Sequence, residues 1–147
     1  MTAVMESTSR APGNTAVLGT STSVLLVEDD DHLAATLGQL LEELGLHLTV
    51  SHTAESAITT LEANPERFDL LISDIMLPDG RGYDVIARAR ALRPTISALY
   101  ISGFAEARPE DIGDGQIPLL QKPFTMAELM QSLILIDLDR TREPHSP

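Results

Sequence analysis

The sequence contains no cysteine, which removes disulfides, thiol catalysis and cysteine-ligated zinc and is compatible with a reducing, cytoplasmic setting. Basic residues are scarce. Ten Lys plus Arg stand against 22 Asp plus Glu, a formal net charge of −12, which argues against a direct nucleic-acid or anionic-membrane surface. No apolar run approaches the roughly 20 residues of a membrane span. Residues 1–22 are rich in Ser, Thr, Gly and Pro and lack a hydrophobic signal core, so they are expected to form a flexible tail. Residues 140–147, ending in "TREPHSP", read as a second tail. No glycine-rich phosphate loop of the P-loop or dinucleotide type is present, and His32, His47, His52 and His145 show no metal-ligand pairing.

What remains, residues 23–139, is one domain's worth of alternating hydrophobic patterns. "SVLLV" (23–27) reads as a buried-strand run, "FDLLISD" (68–74) as a central strand, "ISALYIS" (96–102) and "IPLLQ" (117–121) as the fourth and fifth strands, and "LHLTV" (46–50) as an edge strand. Between them apolar residues recur at helical spacing. Leu33, Leu37, Leu40, Leu41 and Leu44 form one face, with Asp30 or Asp31 as N-cap and Gly45 as the stop. Ala54, Ala57, Ile58 and Leu61 form a second face. Val85, Ile86, Ala89 and Leu92 form a third, stopped before Pro94. The last helix, 125–138, opens on a capping box of Thr125 with Glu128 and places Met126, Leu129, Met130 and Leu133 on its core face. Ile134, Leu135 and Leu138 cannot all point inward as well. The segment between the fourth and fifth strands carries three glycines and a proline, so any helix there is expected to be short or mobile and poorly protected from exchange. Strands alternating with helices imply an α/β fold, a parallel sheet covered on both faces.

In such a sheet ligands bind beyond the carboxyl ends of the strands. This chain puts Glu28 and Asp29 after the first strand, Asp74 after the third, Ser102 at the end of the fourth and Lys122 after the fifth. Acids crowded after a strand are commonly a solvated helix N-terminus favoured by the helix dipole, and Asp30 and Asp31 are assigned to that role. Convergence of the others on one edge favours a site. Hard carboxylate oxygens suit Mg²⁺, which would offset the repulsion among Glu28, Asp29 and Asp74.

The set "VEDD", "LLISDIMLPDGRG", "YISG" and "QKPF", in this order and spacing, closely resembles the receiver domain of two-component response regulators. The resemblance implies a flavodoxin-like, doubly wound, five-stranded sheet in the order 2-1-3-4-5. It implies that Asp74 is the phosphoacceptor, taking a phosphoryl group from a histidine kinase, a hybrid one among the candidates, or from a histidine phosphotransfer protein. Asp29, Asp74 and the backbone carbonyl of Met76 would ligate Mg²⁺, with Glu28 acting mainly through water. Lys122 would pair with phosphoryl oxygens, Ser102 would hydrogen-bond the phosphoryl group and carry the switch, and Pro123 would follow a cis peptide bond. One departure concerns Leu119, where the family usually has an aromatic residue. The expectation is a stand-alone receiver, a signalling switch and not an enzyme beyond self-phosphorylation and autodephosphorylation. A homodimer through the helix 4, strand 5 and helix 5 face is a further expectation. Two alternatives compete: a Mg²⁺-dependent phosphohydrolase of the haloacid dehalogenase type, which usually has a second Asp where this chain has Met76, and a pseudo-receiver that is never phosphorylated.

Overall fold

The computed structural model describes residues 22–103 and 117–142, with side chains described as far as residue 136. The two tails and the segment expected to be irregular, 104–116, lie outside the described residues apart from Thr22 and the backbone of 140–142.

Five parallel strands form the sheet: β1 (Ser23–Val27), β2 (His47–Ser51), β3 (Leu70–Asp74), β4 (Ser97–Ser102) and β5 (Leu119–Gln121). Their order is β2-β1-β3-β4-β5. The described helices are α1 (Asp31–Glu43), α2 (Ala54–Ala63), α3 (Gly82–Leu92) and α4 (Met126–Arg142). A two-residue-per-arm hairpin, Met76–Leu77 against Gly80–Arg81, follows β3.

The solid apolar runs arise because β1, β3 and β4 are covered on both faces. Side chains alternate across a strand, so Val24 and Leu26 enter one core layer while Leu25 and Val27 enter the other. The first layer joins Leu37 and Leu41 of α1 to Leu129, Leu133 and Ile136 of α4 through Ile72 and Ile101. The second joins Ala57 and Leu61 of α2 to Val85, Ile86 and Ala89 of α3 around Leu71 and Tyr100.

Local signals fix the ends of these elements. Asp30, and not Asp31, caps α1: its Oδ1 accepts from the amides of His32 at 2.9 Å and Leu33 at 3.1 Å. Beyond the other end of α1, Gly45 takes a φ of 91°, a conformation that a side chain would strain. At α4 the capping box is reciprocal, Glu128 N–H to Thr125 Oγ1 at 3.0 Å and Thr125 N–H to Glu128 Oε1 at 2.9 Å.

One expectation about α4 needs correction. Leu129 and Leu133 face the core as read, but Met126 is exposed and Met130 only half-buried. The buried stripe instead continues to Ile136, at spacings of four and three residues, so Met126 at the first helical position sits at its rim.

Candidate functional site

The register of the sheet brings the strand ends to one edge. Val27 pairs with Ser73, Asp74 with Ile101, and Ser102 with Gln121, so Glu28, Asp74, Ser102 and Lys122 emerge together. Backbone bonds extend the ladder past the strands: Glu28 N–H reaches Ser51 O at 3.0 Å, and Lys122 N–H reaches Ser102 O at 2.7 Å. The Lys122–Pro123 peptide bond is cis.

Lys122, the only lysine in the sequence, lies between two acids. Its Nζ is 2.9 Å from Asp74 Oδ2 and 3.2 Å from Glu28 Oε1. Asp74 is almost wholly buried, and its other oxygen, Oδ1, accepts the Met76 N–H at 3.3 Å. Glu28 is completely buried, with Oε2 accepting the Asp30 N–H at 3.0 Å. Asp29 is exposed, yet it offers a carboxylate oxygen within 4.8 Å of those of Glu28 and Asp74.

Burial is the main force on Glu28. It lifts the carboxyl to a pKa of about 7, with the Asp74 charge adding to the lift and the Asp30 amide and Lys122 opposing it. For Lys122, burial works against the charge, but the Asp74 hydrogen bond and the nearby Asp74 and Glu28 carboxylates outweigh it and hold the ammonium above its ordinary pKa. One lysine thus serves two buried acids.

A divalent cation fits this group. Glu28 Oε1, whose contact is the 3.2 Å ion pair with Lys122, is the one buried side-chain oxygen among the described residues without a well-formed hydrogen bond, and Glu28 belongs to the three-carboxylate group. Hard oxygen donors of this kind suit Mg²⁺.

The loop that carries Met76 is tightly packed. Ser73 Oγ–H donates to Asp74 O at 2.9 Å, and Gly82 N–H donates to Ile75 O at 2.7 Å. A Cβ on Gly82 would lie 2.2 Å from Asp74 O, so only glycine permits this approach. Ser73, Gly82 and Asp79, whose carboxylate reaches across to α2, were not apparent from sequence patterns. His52, discounted as a metal ligand, lies with Nδ1 2.9 Å from the Glu28 carbonyl oxygen, a contact to the backbone of the site.

Ser102 is fully buried at the same edge, where its Oγ–H donates to Gly103 O at 3.0 Å. Leu119, at the usual aromatic position, is partly exposed on β5. Beside it, Leu119, Gln121, Glu128, Gln131, Ser132 and Leu135 line an open groove of about 250 Å³ between β5 and α4. No helix among the described residues is long and apolar enough to cross a membrane.

Comparison with known proteins agrees with this architecture. The response regulator receiver domain family matches residues 24–134. The chain is 31% identical over 112 residues to the response regulator receiver protein CpdR of Brucella abortus (strain 2308), covering 75% of this chain and 92% of that protein. It is also 31% identical over 117 residues to the sensor kinase CckA of the same organism, covering 76% of this chain but only 12% of the kinase. Among solved structures, a response regulator receiver protein from Sinorhizobium medicae WSM419 superposes with a TM-score of 0.74 at 26% identity, covering 82% of this chain and 97% of that one. The chain belongs to the response regulator receiver domain family of two-component signalling systems.

Proposed function

We propose that the receiver domain at residues 23–139 accepts a phosphoryl group on Asp74 from a histidine kinase or a histidine phosphotransfer protein and acts as a phosphorylation-controlled interaction switch or phosphorelay intermediate. The observation that carries this reading is the buried Asp74 carboxylate held 2.9 Å from Lys122 beside a group of three carboxylates. Asp74 Oδ attacks the phosphorus of the donor phosphohistidine, the P–N bond breaks, and an acyl phosphate forms. The chain's own contribution is positioning and charge neutralisation.

Glu28, Asp29, Asp74 and the Met76 carbonyl would hold Mg²⁺, which supplies positive charge for the oxygens of the transferring group. Lys122 then follows the phosphoryl oxygens while staying charged, consistent with its raised pKa. Ser102 exchanges its Gly103 acceptor for a phosphoryl oxygen, moving β4 relative to β5. Because Leu119 has no ring, that change passes through the backbone, starting with the Lys122 N–H bond to Ser102 O.

The surface that reads the change is the β5–α4 face, used by a second copy of the chain or by the kinase; the 31% identity to a sensor kinase over 117 residues supports a kinase context. The protein works in the cytoplasm, and DNA is not bound directly, in keeping with its net charge of −12. Intact-mass measurement after treatment with acetyl phosphate tests the central claim. One phosphoryl adduct is expected, dependent on Mg²⁺ and absent from Asp74→Asn; an adduct that persists in that variant overturns the assignment.

A further inference from the structure

The tip of the hairpin after β3 is tied to a different helix. Asp79 Oδ1 accepts the Ala54 N–H at 2.8 Å and Oδ2 accepts the Glu55 N–H at 3.0 Å. These are the first two amides of α2, which are orphaned in any helix unless something outside the helix satisfies them. The next two are satisfied from Thr53: Ser56 N–H donates to Thr53 Oγ1 at 3.1 Å, and Ala57 N–H to Thr53 O at 3.1 Å. Thr53 is therefore a local cap, and Asp79 is a long-range one, 25 residues away in sequence from Ala54.

The helix needs only a donor-matched oxygen at its start, and local residues commonly supply one. What the long-range arrangement adds is a constraint on the hairpin. Met76 and Arg81 pair, Leu77 and Gly80 pair, and Asp79 occupies the turn between them, so fixing the Asp79 carboxylate fixes the Met76 arm. The other end of that arm is held by Met76 N–H on Asp74 Oδ1. Gly80 also packs at the α2 start, where a Cβ on it would meet Ala54 Cβ at 3.4 Å. The two backbone bonds depress the Asp79 pKa, so the clamp stays charged across the neutral range.

We infer that Asp79 is a positioning residue for the metal site: it clamps the β3–α3 hairpin to the N-terminus of α2 and thereby holds the Met76 carbonyl where a divalent cation is bound. The inference rests on the reading of Met76 as a metal ligand given above. A partner that orients a metal-ligating group commonly contributes about tenfold or more to metal affinity.

The test is Mg²⁺ titration by calorimetry of wild type, Asp79→Ala, Asp79→Asn and Thr53→Ala, with acetyl phosphate labelling rates measured across the same Mg²⁺ range. Asp79→Ala is expected to weaken Mg²⁺ binding about tenfold and to shift the Mg²⁺ dependence of labelling, while the rate at saturating Mg²⁺ stays near that of wild type. Asp79→Asn keeps one acceptor and turns a donor toward the other amide, so an intermediate loss is expected. It also decides the matter if the alanine variant does not fold. Thr53→Ala removes the local cap of the same helix without touching the hairpin, and its Mg²⁺ affinity is expected to match wild type. Wild-type affinity in both Asp79 variants overturns the inference alone, as does an equal loss in Thr53→Ala, which would reduce Asp79 to a stabiliser of α2. Absence of Mg²⁺ binding in the wild type overturns the metal reading and the inference together.

Discussion

The two halves of the sheet's carboxyl edge are built differently. At the ends of β1 and β3 the acids are held by several local bonds: Glu28 by the Asp30 and Ser51 backbones, Asp74 by Met76 N–H and by the Ser73 and Gly82 packing around its carbonyl. At the ends of β4 and β5 the groups are tied across the site: Lys122 N–H bonds Ser102 O, and the Lys122 ammonium pairs with Asp74 and Glu28. Ser102 bonds the neighbouring Gly103, and Lys122 follows a strand of three residues with only the middle one buried. In the proposed function the β1–β3 half is the fixed one, which would hold the metal, while Ser102 and Lys122 of the β4–β5 half would exchange partners with the phosphoryl group.

The largest expected effect breaks the fixed half chemically. Asp74→Asn removes the proposed nucleophile and should abolish the acetyl phosphate adduct completely. Stability should fall little or rise, because one of two acids sharing Lys122 is neutralised. Intact mass and urea denaturation of the same sample read both quantities. A large destabilisation would show that the Lys122 ion pair is structural.

Next is Gly82→Ala, which breaks the fixed half sterically. The added Cβ would meet Asp74 O at 2.2 Å and Ser73 Oγ at 2.9 Å, one of them backbone that cannot step aside. A loss of about 2–4 kcal/mol is expected, in the range for overpacking with backbone displacement, together with weaker Mg²⁺ binding. An unchanged urea midpoint would mean that the loop is looser than its packing implies.

Much of this arrangement was legible in the sequence because strand ends are. Solid apolar runs mark β1, β3 and β4, and parallel strands bring the residues at their carboxyl ends to one edge, so the sequence alone places Glu28, Asp74, Ser102 and Lys122 together. The choice between Asp30 and Asp31 as cap stayed open because both precede the helix by an acceptable distance, and only the side-chain bonds decide it. Asp79 was illegible for a different reason. "LPDG" reads as a turn, and nothing local signals that the turn's carboxylate caps a helix 25 residues earlier. Met126 was misplaced because helical periodicity gives the direction of a face without saying where the neighbouring layer stops.

A third, smaller effect sharpens the comparison through pH. The Glu28 carboxyl is raised to about 7 in the folded protein and titrates near its ordinary value of 4.5 when unfolded, so the folded state binds the proton more tightly. Stability from this group is full below pH 4.5 and is lost as pH rises through about 7, by on the order of 3 kcal/mol. Glu28→Gln carries no such proton and should lack this loss, so the difference between the two urea midpoints isolates it from the other carboxylates. Mg²⁺ at pH 8 should restore more stability to the wild type than to Glu28→Gln. Parallel pH profiles for the two proteins would place the burial penalty elsewhere.

The smallest effect on the domain itself, and the one that tests the β4–β5 half, comes from α4. Leu133 is wholly buried, whereas Leu135, two residues on, is 54% exposed and Ile134 45%. Truncating a residue like Leu133 costs several kcal/mol, while a surface change such as Leu135→Glu is expected to alter stability by no more than about 0.5 kcal/mol. Leu135 also lines the groove beside Leu119, so an added charge there opposes burial of this face against another chain. Leu135→Glu should therefore keep the wild-type urea midpoint, Mg²⁺ affinity and acetyl phosphate adduct while losing self-association or kinase binding. Light scattering with and without beryllofluoride, and binding to the kinase that phosphorylates the chain, make the measurement. If the wild type is monomeric in every state and the substitution leaves kinase binding intact, the readout surface lies elsewhere, and the exposed leucines of α4 are ordinary surface residues.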